Sequence, residues 1–272
     1  MARDRRQFLK AGVAAAADPL PARDPGTRTI PLALVQFDAV PEQVERNTAH
    51  VERLTEKAVA SGARWVMFHE GSLCDYTGRL RELAEHVPDG AHVRRIEKLA
   101  RRLRCYISYG LSEADRGRYY ITQVFTGPDG FISRYRKTWI WHSRGDEGYR
   151  DEWMRYDTGT GPELFTIDGV KASCFICSDG ESRRCLTRIA ELAPEVVFHP
   201  NNRASFPHYE EYGERARLMG APMLVTNRVG VSWVKSTPGA SAVFSAQGEV
   251  LARANAEGQE EILRYDLQLR KS

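Results

Sequence analysis

An α/β layered domain is the fold class that this 272-residue sequence predicts, and two observations carry the prediction. Short apolar runs alternate with amphipathic helical stretches along the chain, with no internal repeat. A composition of 42% hydrophobic and 28% charged residues suits a packed core and excludes disorder and fibrous repeats. Thirty-nine Lys and Arg against 36 Asp and Glu leave a net charge of +3, too little for a protein that binds nucleic acid by releasing counterions. No apolar stretch approaches the roughly 18 residues of a spanning helix, so no membrane partner is expected for the mature chain.

The elements follow in order. Residues 29–36 are mostly apolar after a Pro/Gly-rich segment and predict a buried strand. Pro41 opens a helix over 42–60, where Val44, Val51, Leu54 and Ala58 recur at helical spacing and Gly62 supplies the stop. Residues 65–68 predict a second buried strand, after which the chain turns abruptly polar at His69-Glu70-Gly71-Ser72. Val93, Ile96, Leu99, Ala100 and Leu103 form one face of a surface helix over 90–103.

Three strand-like runs, 106–111, 119–126 and 131–135, are split by turn signals at 115–117 and 128–130, which predicts a meander. Residues 138–162 have no clear period and read as a long functional loop with one helical turn. Asp168-Gly169 is the strongest hairpin signal, between strands 164–167 and 170–176. A helix over 181–193, a strand over 196–198, a helix over 208–219, a strand over 223–227, a hairpin over 242–253 and a strand over 261–267 complete the pattern.

At the N-terminus, Arg5-Arg6-Gln7-Phe8-Leu9-Lys10 followed by Ala11 to Ala17 resembles the start of a twin-arginine export signal. Residues 1–27 are therefore read as signal and linker, and 28–272 as a single domain. The resemblance implies export to the periplasm; a plain basic tail would leave the protein cytoplasmic.

Five cysteines are an odd number in a chain too long to need disulfide staples, so at least one thiol stays unpaired. Cys177 follows a predicted strand and precedes a helical pattern, which would place its sulfur near a helix N-terminus where the dipole favours thiolate. Glu70 and Lys137 also stand at predicted strand ends, where α/β folds assemble their sites. A carboxylate can take the thiol proton and an ammonium can hold an oxyanion, so the three residue types complete a nucleophilic mechanism without histidine or metal.

Phe68-His69-Glu70-Gly71-Ser72-Leu73-Cys74-Asp75-Tyr76, Tyr135-Arg136-Lys137-Thr138 and Ile176-Cys177-Ser178-Asp179 together resemble the nitrilase superfamily of carbon-nitrogen hydrolases, in the order Glu, Lys, Cys and with gaps of 67 and 40 residues. A second family glutamate, four residues before an aromatic and seven before a glycine, is matched by Glu152 with Tyr156 and Gly159, ahead of Glu147. Segments 215–230 and 239–248 are also family-like, so the resemblance spans about 29–267.

The resemblance implies a four-layer αββα sandwich, a homodimer or higher homo-oligomer, and hydrolysis of a non-peptide carbon-nitrogen bond through a thioester on Cys177. It implies Glu70, Lys137, Cys177 and Glu152 as the catalytic residues, with no cofactor and no metal. The substrate would be a small amide or N-carbamoyl (ureido) compound that releases ammonia. Ser178-Asp179 after the nucleophile is similar to the amidase and carbamoyl-hydrolase branches, whereas nitrilases carry an aromatic and a glutamate there. Acyl transfer to an amine, and a non-catalytic binding protein on the same scaffold, remain the alternatives.

Two segments depart from the family pattern, Gly71-Ser72 after Glu70 and Glu181-Ser182-Arg183-Arg184 after the nucleophile. Both bear on the pocket wall and hence on the substrate. Arg183, Arg184 and Arg203 are candidates for binding an acidic group, weighed against solvated helix-face charge. Cys174 and Cys177 have redox-like spacing, but on a strand residues three apart face opposite ways, which argues against a redox or metal pair.

Overall fold

The computed structural model describes residues 26–142, 152–204, 207–232 and 235–270. The export-signal motif around Arg5-Arg6 and the alternative glutamate Glu147 lie outside the described residues.

Two six-stranded sheets form the centre. The first comprises β1 (Thr27–Gln36), β2 (Trp65–Phe68), β3 (Tyr106–Asp115), β4 (Arg118–Gly127), β5 (Gly130–Arg136) and β14 (Glu261–Arg270), in the order β14-β1-β2-β3-β4-β5. The second comprises β6 (Phe165–Ile167), β7 (Val170–Cys174), β8 (Val196–Asn201), β9 (Met223–Asn227), β12 (Ala242–Phe244) and β13 (Val250–Arg253), in the order β13-β12-β9-β8-β7-β6. The central strands of each sheet run parallel, β1-β2-β3 in one and β7-β8-β9 in the other.

Strand periodicity decides the layering. Ile30, Leu32 and Leu34 of β1, with Trp65 and Met67 of β2, join the core that includes β6 to β9. The intervening Ala33, Val35, Val66 and Phe68 join a separate core with α1 (Val44–Ala60) and α3 (Ala91–Leu103). A period of two thus sends alternate side chains to the opposite sheet and to the outer helices. On the other side α4 (Arg183–Leu192) and α5 (Tyr209–Met219) pack on the second sheet through Leu186, Ile189, Ala216 and Met219. The result is the expected four-layer αββα sandwich. Aromatic rings interlock between the sheets: Phe125 lies 4.5 Å from Phe165 and 5.1 Å from Phe198, and Trp65 lies 5.8 Å from Phe198.

The Asp168-Gly169 turn forms as predicted, with φ of 53° and 72°, the paired positive values that a tight hairpin requires. Asp168 then ties the sheets together, accepting from Arg64 Nε at 2.5 Å, Arg64 Nη2 at 2.6 Å and Trp65 Nε1 at 3.2 Å.

Several boundaries differ from expectation. The first helix begins at Val44, not just after Pro41, and β7 ends at Cys174, where the Phe175 N–H turns to the Phe198 carbonyl. The helix expected over 181–193 is divided: a 3-10 turn covers Cys177–Glu181, and α4 starts at Arg183 under a Ser182 cap. The short α2 (Leu80–Leu83) and the hairpin of β10 (Val229–Ser232) and β11 (Lys235–Pro238) lacked a periodic signal.

Candidate active site

Four predicted residues arrive from three parts of the fold. Glu70 stands two residues beyond β2, in a turn that crosses close over β3. A Cβ on Gly110 would meet the Gly71 nitrogen at 2.3 Å, so only glycine permits that crossing. Lys137 directly follows β5, its N–H bonded to the Ile121 carbonyl at 2.9 Å. Glu152 opens a 3-10 turn in the long connection between the sheets, and Cys177 follows β7 of the second sheet.

The spacing Glu152, Tyr156, Gly159 has a physical origin. The Tyr156 N–H donates to the Glu152 carbonyl at 2.9 Å, and the buried Tyr156 hydroxyl reaches Ser112 on β3 at 2.9 Å. Three residues on, the Gly159 N–H donates to the Lys137 carbonyl at 2.8 Å, and a Cβ there would collide with the Arg136 carbonyl at 2.2 Å. The connection is thereby pinned to β3 at one end and to the lysine segment at the other.

Lys137 is fully buried between two carboxylates, with Nζ 2.8 Å from Glu70 Oε1 and 2.7 Å from Glu152 Oε1. The second oxygen of Glu152 accepts from the Trp141 N–H at 2.9 Å. The second oxygen of Glu70 is buried without a hydrogen-bond partner among the described residues. Burial opposes the lysine's charge, but Glu152 and Glu70 outweigh it and hold its pKa well above the ordinary value. Burial, partly offset by Lys137, raises the Glu152 carboxyl.

Cys177 corrects one expectation. Its thiol is pushed up to about 12, first by burial and then by Glu70, against the lowering effect of Lys137. It opens a 3-10 turn and not the first turn of a helix, so no helix dipole makes it a thiolate at rest. At rest Cys177 is therefore a thiol, and ionising it requires a proton acceptor. Its backbone is left-handed, with φ of 43°, a conformation costing roughly 1–3 kcal/mol and characteristic of functional turns. All five cysteines are free, and Cys174 is buried on β7.

Asp179, quoted in the sequence but given no role there, fastens the lysine segment to the cysteine segment. Its Oδ1 accepts from the Thr138 N–H (2.9 Å), the Thr138 hydroxyl (2.7 Å) and the Trp139 N–H (2.6 Å). Its Oδ2 accepts from the Tyr135 hydroxyl (2.8 Å) and the Ile176 N–H (2.9 Å). Its place two residues after Cys177 is its only mark in the sequence. The three candidate arginines also separate. Arg183 and Arg184 are exposed on α4, whereas Arg203 lies half-buried in the loop after β8.

The family model described as carbon-nitrogen hydrolase matches residues 31–272. A nitrilase from Pyrococcus abyssi is 27% identical over 86% of this chain and 87% of its own. An N-carbamoylputrescine amidase from Arabidopsis thaliana is 24% identical over 90% and 89%. A variant of the amidase from Nesterenkonia sp. AN1 shares the fold with a TM-score of 0.78 at 18% identity, over 90% of this chain and 92% of that one. The chain belongs to the carbon-nitrogen hydrolase family and is an enzyme of that class.

Proposed function

We propose that the protein hydrolyses an amide or N-carbamoyl bond through a thioester on Cys177. The observation that carries this reading is the state of Glu70: one oxygen on Lys137, the other buried without a hydrogen-bond partner among the described residues, beside a thiol that must lose its proton. The Sγ–H proton passes to the free oxygen of Glu70 as sulfur attacks the carbonyl carbon, and the oxyanion develops against Lys137 Nζ. Collapse of the tetrahedral centre breaks the carbon–nitrogen bond, and ammonia leaves with the proton from Glu70. Water then attacks the thioester, gives a proton to Glu70, and releases the acid as the thiol is restored. Glu152 holds Lys137 in place and is not a proton carrier.

Two further points support an amide over a nitrile. Ser178 and Asp179 follow the nucleophile, and Asp179 is committed to fastening the loop. In the Nesterenkonia amidase variant, the acetamide moiety of fluoroacetamide is added covalently at that enzyme's active-site cysteine. The test is ammonia release from matched amide, N-carbamoyl and nitrile panels, with water and amine acceptors compared. Cys177→Ala should abolish turnover while Cys174→Ala retains a measurable fraction. Equal loss in two folded variants would reassign the nucleophile, and higher specificity constants for nitriles would overturn the substrate class.

A further inference from the structure

The hydrolytic steps give no role to Asp75, a buried residue in the segment that carries Glu70. Its N–H closes the turn after that glutamate, donating to the Gly71 carbonyl at 2.6 Å. Its backbone is left-handed, with φ of 58°, where glycine is the unstrained residue. Strain of this kind persists only where the surrounding contacts over-determine it.

Those contacts come from the second half of the chain. Asp75 Oδ1 accepts from Asn202 Nδ2 at 2.7 Å and from the Ser232 hydroxyl at 3.1 Å, and Oδ2 lies 3.9 Å from Nη2 of the fully buried Arg228. Asn202 leads back to the nucleophile. Strands β7 and β8 run parallel, with Cys174 opposite Phe198, and the chain beyond each continues to Cys177 and to Asn202. There the Asn202 backbone N–H bonds to the Cys177 sulfur and favours its ionised form. The loop has a second anchor in Asn227, which accepts the Arg203 N–H at 2.9 Å and donates to the Arg203 carbonyl at 3.1 Å. Of the two anchors, only Asp75 belongs to the Glu70 segment. It joins the base to the sulfur's donor as Asp179 joins the lysine segment to the cysteine segment.

We infer that Asp75 is a positioning residue for the nucleophile: through the Asn202 side chain it holds the Asn202 backbone N–H on the Cys177 sulfur, in register with Glu70. This rests on the reading of Cys177 as the nucleophile of an amidohydrolase. Removing the carboxylate leaves the N–H in the chain but frees its loop on one side, which weakens a charge-assisted hydrogen bond to the thiolate.

The experiment measures two constants: the rate of Cys177 labelling by iodoacetamide at one fixed pH, read from the mass of the Cys177 peptide, and kcat/KM for the amide that the wild type turns over fastest. Asp75→Gly is the informative variant, because glycine relieves the left-handed backbone while deleting the acceptor. It should label about threefold more slowly, since a thiolate fraction lowered about tenfold is partly offset by a more basic and more nucleophilic sulfur. Its kcat/KM should fall about tenfold, the lower end of what one hydrogen bond to a charged group is worth. A role confined to stability would move labelling the other way, because loosening exposes the thiol and speeds its reaction. Asp75→Asn keeps an oxygen for Asn202 and tolerates the left-handed backbone, so it should restore most of both constants. Asn202→Ala should match Asp75→Gly, and the double variant should be no slower than either, since both cut one path.

Should Asp75→Gly fail to fold, the labelling rate of Asn202→Ala decides. Labelling at the wild-type rate or faster in the folded variants would overturn the assignment. So would an Asp75→Asn variant as slow as Asp75→Gly, which would trace the effect to the charge beside Arg228. Slower labelling in both variants of a protein that hydrolyses no amide would retain the positioning of Cys177 and overturn the reaction.

Discussion

On the outer face of the first sheet, Arg95 of α3 reaches across to Glu45 and Glu52 of α1, with Glu52 at 2.7 and 2.6 Å. Where the sheets meet, Lys137 reaches Glu70 and Glu152 at 2.8 and 2.7 Å. Each is one cation between two carboxylates at nearly the same distance, and the environments differ. The Arg95 and Glu45 side chains are 34% and 74% exposed, whereas Lys137 and both its partners are at most 3% exposed. Water screens the outer group, and exposed pairs of this kind contribute little to stability. The inner group has given up its hydration, so each charge depends on the others, and removing one leaves its partners stranded. Position in the sandwich, and not the identity of the contact, separates a helix fastening from the proposed reaction centre.

The largest break expected is Lys137→Ala. It removes the proposed oxyanion partner and leaves Glu70 and Glu152 buried without their cation. The rate should fall on the order of a hundredfold or more, and stability by about 3–5 kcal/mol, read as a lower urea midpoint. Lys137→Arg should restore only part of the rate, because a planar fork does not fit a site made for a compact ammonium. Wild-type rates in Lys137→Ala would remove the lysine from the chemistry and make the inner group merely structural.

A smaller effect sharpens the division between the two carboxylates. Glu70→Gln should cost on the order of a hundredfold or more in kcat, the scale of a lost general base. Glu152→Gln should cost about tenfold, since its amide oxygen can still accept from Lys137 or from the Trp141 N–H but no longer neutralises the cation. Matched kinetics with the ranking reversed would exchange the two roles.

The inner group was more legible in the sequence than the segments around it. Glu70, Lys137 and Cys177 stand out because strand-like runs end in reactive side chains, and that pattern is local. Glu152 was reached only through resemblance; its reason, a helical-turn bond to Tyr156 and the tight passage of Gly159 over Arg136, involves parts of the chain that local pattern cannot bring together. Asp179 and Tyr212 carried no such mark. One is a polar residue in a turn and the other an aromatic on a helix, and only the fold shows the first accepting five hydrogen bonds and the second with a hydroxyl that has no hydrogen-bond partner among the described residues. The expectation for the Cys177 thiol failed because burial, which local sequence does not report, outweighs a helix terminus that begins at Arg183, six residues after Cys177 and two later than expected.

The smallest effect belongs to the outer group. Arg95→Ala should lower stability by about 0–1 kcal/mol, the range of an exposed pair, and leave kcat/KM unchanged. Part of that loss will come from the aliphatic stem, because arginine covers apolar surface with its methylenes. Salt separates the contributions. At about 1 M NaCl the Debye length shrinks to roughly 3 Å, so the ionic share of the Arg95→Ala difference should vanish while the packing share stays. The buried Lys137 group, shielded from ions by both sheets, should keep its full dependence on the lysine at the same salt. A loss above about 2 kcal/mol in Arg95→Ala, or a salt response in Lys137→Ala as large as that in Arg95→Ala, would show that burial does not divide the two groups as argued.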